Sequence, residues 1–122
     1  MSELLVAVID DDPSFRVALV DSLSSLGYGV RGFASAEDFI AANLEGSCDC
    51  IITDIQMSGM SGLDLKQLLT ARNSRVPVIM ITGHAEPGLE ASVSAVGSVG
   101  LLRKPFEASA LTGCLERAVH AG

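Results

Sequence analysis

The stretch Cys50-Ile51-Ile52-Thr53-Asp54-Ile55-Gln56-Met57 is an apolar run that carries one carboxylate, Asp54, to its end. Flanked by Ser, Gly and Asp, a run of this length reads as a buried parallel strand, which puts Asp54 where the strand stops. Taken alone, an aspartate there is an ordinary turn starter. Other runs repeat the arrangement. Leu4-Leu5-Val6-Ala7-Val8-Ile9 leads into Asp10, Asp11 and Asp12, Val78-Ile79-Met80-Ile81 into Thr82, and Val99-Gly100-Leu101-Leu102 into Arg103 and Lys104. The same end of each strand carries the chemistry.

Working outward, 122 residues read as one domain, residues 1–122 with no output domain, large enough for a real core and too short for a second module of ordinary size. No apolar run approaches the roughly 20 residues that span a bilayer, and no basic, apolar, small-residue leader precedes the first strand. The expectation is a cytoplasmic protein without membrane contact. Cys48, Cys50 and Cys114 are an odd number without C-x-x-C spacing, so they read as buried free thiols rather than a disulfide framework or a zinc site. A net charge of -7, with only eight Lys and Arg scattered along the chain, argues against a nucleic-acid surface. Any DNA contact would come from a partner. Asp10, Asp11, Asp12 and Asp54 would converge if the first and third strands are neighbours, and such clustering suits a hard cation.

In chain order, Asp12-Pro13 gives an acidic N-cap and a proline at the first helical position after strand one. Phe15, Ala18, Leu19, Leu23 and Leu26 recur at helical spacing until Gly27 closes the helix. Gly29 to Phe33 is a second strand with too many glycines to be central, hence an edge. Ser35 with Asp38 approximates a capping box for a helix whose Phe39, Ile40 and Leu44 face inward. The third strand runs from Asp49 to Thr53. Past Asp54, Ser58-Gly59-Met60-Ser61-Gly62 is a flexible loop in which Ser61 can cap the helix of Leu65, Leu68 and Leu69 and glycines let backbone approach a ligand. Val76-Pro77 introduces strand four, and Gly83-His84-Ala85-Glu86-Pro87-Gly88 is a loop of turn formers. A weak helix over Leu89 to Ala95 ends at Gly97-Ser98. The last helix gathers Leu111, Cys114, Leu115, Ala118 and Val119 on one face. Five strands alternating with five helices predict an α/β, doubly wound parallel sheet, with ligands beyond the carboxyl ends of the strands where their order reverses.

These residues together resemble the response regulator receiver domain, the CheY-like phosphoacceptor module of two-component systems, over nearly the whole chain. The resemblance rests on Asp10-Asp11, Asp54, Thr82 and Lys104-Pro105-Phe106 at the ends of strands one, three, four and five. Thr82-Gly83-His84 and Ser35-Ala36-Glu37-Asp38-Phe39 are similar to the receivers of FixJ-type regulators. The resemblance implies a flavodoxin-like (βα)5 fold with strand order 2-1-3-4-5. It also implies that Asp54 is the phosphoacceptor, that Asp11, Asp54 and the backbone carbonyl of Gln56 ligate Mg²⁺ or Mn²⁺, and that Asp10 acts through water. Lys104 and Thr82 would contact phosphoryl oxygens. Those residue types suit the chemistry: a carboxylate is a weak nucleophile that must meet another anion, and a cation, an ammonium and a hydroxyl offset the repulsion. The implied domain catalyses its own aspartate phosphorylation and dephosphorylation and is no conventional enzyme. Its implied partners are a sensor histidine kinase or histidine phosphotransfer protein, an output protein or domain on the face of the fourth helix, fifth strand and last helix, and a phosphorylation-dependent dimer. His84, two residues after Thr82, occupies a place that tunes dephosphorylation in similar domains. The bond before Pro105 is implied to be cis, an inexpensive state for X-Pro.

The pattern departs from the family at three points. Leu101 stands where an aromatic turns inward with the threonine, so the Thr82–Leu101 switch is expected to be muted or differently built. Ser58 replaces a frequent proline, and Gly97-Ser98 a usual Gly-Ala. Other classes remain open on the residues. A phosphorylation-independent binding module on the same fold is kept in play by Leu101. A haloacid-dehalogenase-like, Mg²⁺-dependent phosphatase would need a second carboxylate where Gln56 stands and a cap insertion. Individually, Asp12 reads as a helix cap, Thr82 as a turn hydroxyl and Lys104 as a solvated lysine before proline.

Overall fold

A computed structural model describes residues 4–84 and 86–120, so Ala85 of the turn-former loop lies outside the described residues, as does the side chain of His120. Five parallel strands, β1 (Leu5–Ile9), β2 (Gly29–Phe33), β3 (Cys50–Asp54), β4 (Val78–Thr82) and β5 (Gly100–Arg103), form one sheet in the order β2-β1-β3-β4-β5. Helices α1 (Pro13–Ser25), α2 (Ala36–Ala41), α3 (Gly62–Ala71), α4 (Leu89–Ala95) and α5 (Ala108–His120) alternate with them. Every residue of β3 and β4 is buried, as continuous apolar runs require when helices cover both faces of a sheet. The glycine-bearing β2 is indeed an edge, with Leu5 opposite Gly29 and Ile9 opposite Phe33.

Alternation along the strands divides the interior in two. Ala7, Ile9, Ile51, Val78 and Met80 point to one side and pack with Phe39, Leu65, Leu69 and Val93 of α2, α3 and α4. Val6, Val8, Cys50, Ile52, Ile79 and Ile81 point to the other and meet Leu19 and Leu23 of α1 and Leu111, Cys114 and Leu115 of α5. The five-residue inward face expected of the last helix is present, with Val119 partly buried at its end. All three cysteines are free and buried.

Local chemistry sets the helix starts. The Asp12 carboxylate accepts from Ser14 N at 3.0 Å and Phe15 N at 3.4 Å, with Pro13 leading the helix. Ser61 and Asp64 form a complete, reciprocal capping box at α3. At α2 only half of one forms: Ser35 Oγ accepts from Asp38 N at 3.0 Å, and no bond returns from the Asp38 carboxylate. That helix ends at Ala41, and Asn43 takes a left-handed φ of 56°, so Leu44 packs on the core from beyond the helix rather than from its face. Strand ends move by one residue from expectation: β1 begins at Leu5, β3 spans Cys50–Asp54 and β5 closes on Arg103. Asp54 is thus the last strand residue, held by Ile55 N donating to Ile81 O at 2.9 Å. Among the described residues no helix is long and apolar enough to cross a membrane.

Candidate functional site at the carboxyl edge of the sheet

The chain leaves β1 toward β2 on one side and returns to β3 on the other, so order reverses between β1 and β3. A crevice opens there because the crossovers diverge to opposite faces. Asp10 and Asp11 follow β1 and Asp54 closes β3, and oxygen atoms of the three carboxylates lie within 4.8 Å of one another. Asp10 and Asp54 are buried, whereas Asp11 is exposed to the crevice.

Lys104, after β5, reaches across β4 into this cluster. Its Nζ donates to Asp10 Oδ2 at 3.0 Å and Asp54 Oδ2 at 3.1 Å. The second oxygens hold backbone: Asp10 Oδ1 accepts from Asp12 N at 2.9 Å, and Asp54 Oδ1 from Gln56 N at 3.1 Å. Asp11 Oδ2 accepts from Ser58 N at 3.4 Å. Burial raises Asp10 above its ordinary value, and the Asp54 charge adds to this, while the Asp12 N–H and Lys104 pull it back only in part. For Lys104 burial alone lowers the pKa, yet the hydrogen bonds and charges of Asp10 and Asp54 outweigh it and the net shift is upward. The ammonium stays protonated, between two carboxylates. The bond between Lys104 and Pro105 is cis, as the resemblance implies.

Gln56 borders a cleft of about 620 Å³ that Asp11, Ser58 and Glu86 also line. Gln56 thus stands beside Asp11 at the rim of the crevice. Its side chain turns away from acid–base work, Nε2 donating to Glu86 Oε1 at 3.4 Å. Thr82 is fully buried, and its hydroxyl is engaged in the turn after β4: it donates to His84 O at 2.8 Å and accepts from His84 N at 3.1 Å. The modest reading of Thr82 as a turn hydroxyl describes this structure. His84 is exposed. Leu101, opposite Met80, is half-buried and packs on the α2–α3–α4 side of the core.

The loop after Asp54 is held by contacts without a sequence signal. Glu37 Oε2 accepts from Met60 N at 3.0 Å, and a side chain at Gly59, where φ is +78°, would collide with that carboxylate. A Cβ on Gly62 would stand 2.6 Å from Asp54 O. The glycines of this loop thus permit close approach to the protein's own groups, Asp54's carbonyl and Glu37. Arg16 Nη1 donates to Asp10 O at 2.6 Å, and the Phe15 ring lies under Lys104, its centroid 4.0 Å from Nζ. Both side chains read from sequence only as members of a helix. The partner of Phe15 lies 89 positions away, beyond any motif window, and that of Arg16 is a backbone carbonyl, which no residue type marks.

Comparison with known proteins agrees with this arrangement. The model of the response regulator receiver domain matches residues 6–116. The transcriptional regulatory protein FixJ of Bradyrhizobium diazoefficiens is 36% identical over 115 residues, covering 94% of this chain and 56% of the relative. The chain spans about half the length of the curated relatives it matches. The crystal structure of FixJ-N superposes with a TM-score of 0.87 at 30% identity, over 98% of this chain and 95% of that one. The response regulator StyR gives a TM-score of 0.91 at 32% identity, over 98% of this chain and 61% of that one. With the strand order, the acidic crevice and the lysine behind it in place, the chain belongs to the response regulator receiver domains, of the FixJ type, and serves two-component signalling.

Proposed function

We propose that this receiver takes a phosphoryl group from the phosphohistidine of a sensor kinase or histidine phosphotransfer protein onto Asp54. The observation that carries the reading is the meeting of Asp10, Asp11 and Asp54 within 4.8 Å, with Lys104 bonded to two of them. Asp54 Oδ2 attacks phosphorus, the P–N bond breaks, and the imidazole leaves with its electron pair and takes up a proton. The product is a mixed anhydride on Asp54. Lys104 donates to a phosphoryl oxygen as its bond to Asp54 Oδ2 is given up. Thr82 supplies a hydroxyl once it releases the His84 carbonyl.

The donor set fits a hard divalent cation: all-oxygen, with three carboxylates meeting within 4.8 Å, one oxygen of the exposed Asp11 without a hydrogen bond among the described residues, and Gln56 lining the adjoining cleft. Asp11, Asp54 and the Gln56 carbonyl would hold Mg²⁺ or Mn²⁺, with Asp10 acting through water. When bound, the ion neutralises charge on the incoming phosphoryl oxygens. Water attack on the same anhydride returns Asp54, so the domain limits its own signal.

The output leaves by the face of α4, β5 and α5. Val99 is 49% exposed there, beside a hollow of about 180 Å³ lined by Glu90, Val93 and Leu101. The FixJ relatives are named transcriptional regulatory proteins and are about twice as long, which supports an output domain or partner; a phosphorylation-dependent dimer would use the same face. Because Leu101 has no ring to fill space vacated by Thr82, the change on that face is small.

The test is the intact mass of the protein after incubation with acetyl phosphate, with and without Mg²⁺, for wild type and Asp54→Asn. A single Mg²⁺-dependent phosphoryl adduct, lost in Asp54→Asn, is the expected result. Absence of an adduct in a wild type shown to bind Mg²⁺ overturns the reading in favour of a receiver that works by contact alone.

A further inference from the structure

Resting on that reading, we infer that Phe15 is a positioning residue for Lys104, holding the ammonium by a cation–π contact at the place where it meets the phosphoryl group. Lys104 Nζ stands 4.0 Å from the centroid of the Phe15 ring, well inside the range of about 6 Å over which a ring face attracts a cation. Its other near contacts are Asp10 Oδ2 and Asp54 Oδ2. An ammonium on a flexible four-carbon stem has no planar fork to orient it, so two hydrogen bonds leave it free to swing about the line joining its acceptors. The ring face removes that freedom. One of those acceptors, Asp54 Oδ2, changes its bonding during transfer, whereas the ring does not react.

The ring is itself braced. Phe15 occupies the first turn of α1, whose start is set by the Asp12 cap and Pro13. Phe106 packs edge-on against it, with centroids 6.0 Å apart and planes at 81°. Phe106 follows Lys104 by two residues, so the segment that delivers the lysine also supports the ring beneath it. Phe15 and Phe106 both line an apolar cleft of about 190 Å³ between α1 and α5, with Leu19 and Leu111 below. Packing alone accounts for an aromatic in that cleft; packing does not account for the cation centred on its face.

Shape and electronics separate the two roles. Fluorination of phenylalanine withdraws charge from the ring face with little change of size, so it weakens a cation–π contact and leaves packing nearly intact. The experiment incorporates mono-, tri- and pentafluorophenylalanine at position 15 and adds Phe15→Leu and Phe15→Tyr. The rate of the Mg²⁺-dependent mass adduct from acetyl phosphate is measured for each. The Lys104 Hε proton shifts are recorded in metal-free protein, where the ring current of Phe15 moves them upfield.

The rate is expected to fall stepwise with fluorination, by about fivefold at the pentafluoro ring, to fall similarly in Phe15→Leu, and to be kept in Phe15→Tyr. The upfield Lys104 shift is expected to vanish in Phe15→Leu. A wild type that forms the adduct, with rates flat across the fluorinated series, overturns the positioning role and leaves the receiver reading intact. A wild type without adduct overturns both.

Discussion

Lys104→Met keeps an unbranched stem and deletes only the ammonium. Two charge-assisted hydrogen bonds go with it, 3.0 Å to Asp10 and 3.1 Å to Asp54, whose side chains are 2% and 10% exposed. Breaking a buried pair from one side costs about 3–5 kcal/mol, because the remaining charge loses its partner. Lys104 keeps 23% of its side chain in solvent, which screens the pair, so a loss of about 2–3 kcal/mol at pH 7 is expected. In a domain of this size that is roughly 6–12 °C in Tm. The pH dependence has a definite sign. Burial already raises Asp10 in the native protein, so the folded state holds its proton more tightly than the unfolded chain. Stability therefore falls as pH rises through that window, from about 4 upward. Removing Lys104 removes a pull in the opposite direction and carries the window higher. The deficit of the variant thus grows between pH 4 and pH 7. Urea unfolding followed by far-UV circular dichroism, in EDTA so that no divalent cation substitutes for the ammonium, measures it. A variant as stable as wild type at pH 7, or one with an equal deficit at both pH values, refutes the ion-pair argument.

Four further outcomes follow from the same geometry. Asp11→Asn, at an exposed carboxylate, folds normally but loses the rise in Tm that Mg²⁺ at ten times its Kd gives wild type, about 1.4 kcal/mol or roughly 4–6 °C, in a thermal melt. Gly62→Ala forces a methyl to within 2.6 Å of Asp54 O and costs about 2 kcal/mol or more by urea titration, with slower phosphoryl uptake because the Asp54 backbone is displaced. Gly100→Ala collides with Cys114 Sγ, so it destabilises alone and is largely rescued by Cys114→Ala; additive costs in the double-mutant cycle would contradict that contact. Burial pushes the thiols of Cys48 and Cys50 up to about 11 and about 12, so a thiolate-directed reagent at pH 8 modifies them only as fast as the protein opens, and rapid native-state labelling would contradict it.

Much was legible where the determining residues lie within a turn or two of one another. The Asp12-Pro13 start of α1, the edge character of the glycine-bearing β2, the boundaries of α4 and the inward face of α5 depend on local capping, glycine content and periodicity, and each took the form read from the chain. The buried β3 and β4 declared themselves as continuous apolar runs for the same reason. The identity of the acidic, hydroxyl and lysine set was likewise visible, because each strand hands a polar residue to the same edge. The strand order came through the family resemblance, since periodicity says which residues are buried and not which strands are neighbours.

Only the tertiary structure decided how those residues meet. Lys104 binds Asp10 across 94 positions and Asp54 across 50, an encounter set by two helical layers closing over a sheet whose order reverses between β1 and β3. The Thr82 hydroxyl turned out to be engaged with His84, and Ser35 and Asp38 completed only half of their box, because competing local acceptors are ranked by geometry that composition does not specify. Phe15 was readable as a helix-face aromatic and no more. Its place under the Lys104 ammonium exists only once α1 and the segment after β5 pack side by side, since a cation–π contact needs two groups brought together through space and leaves no spacing in the chain.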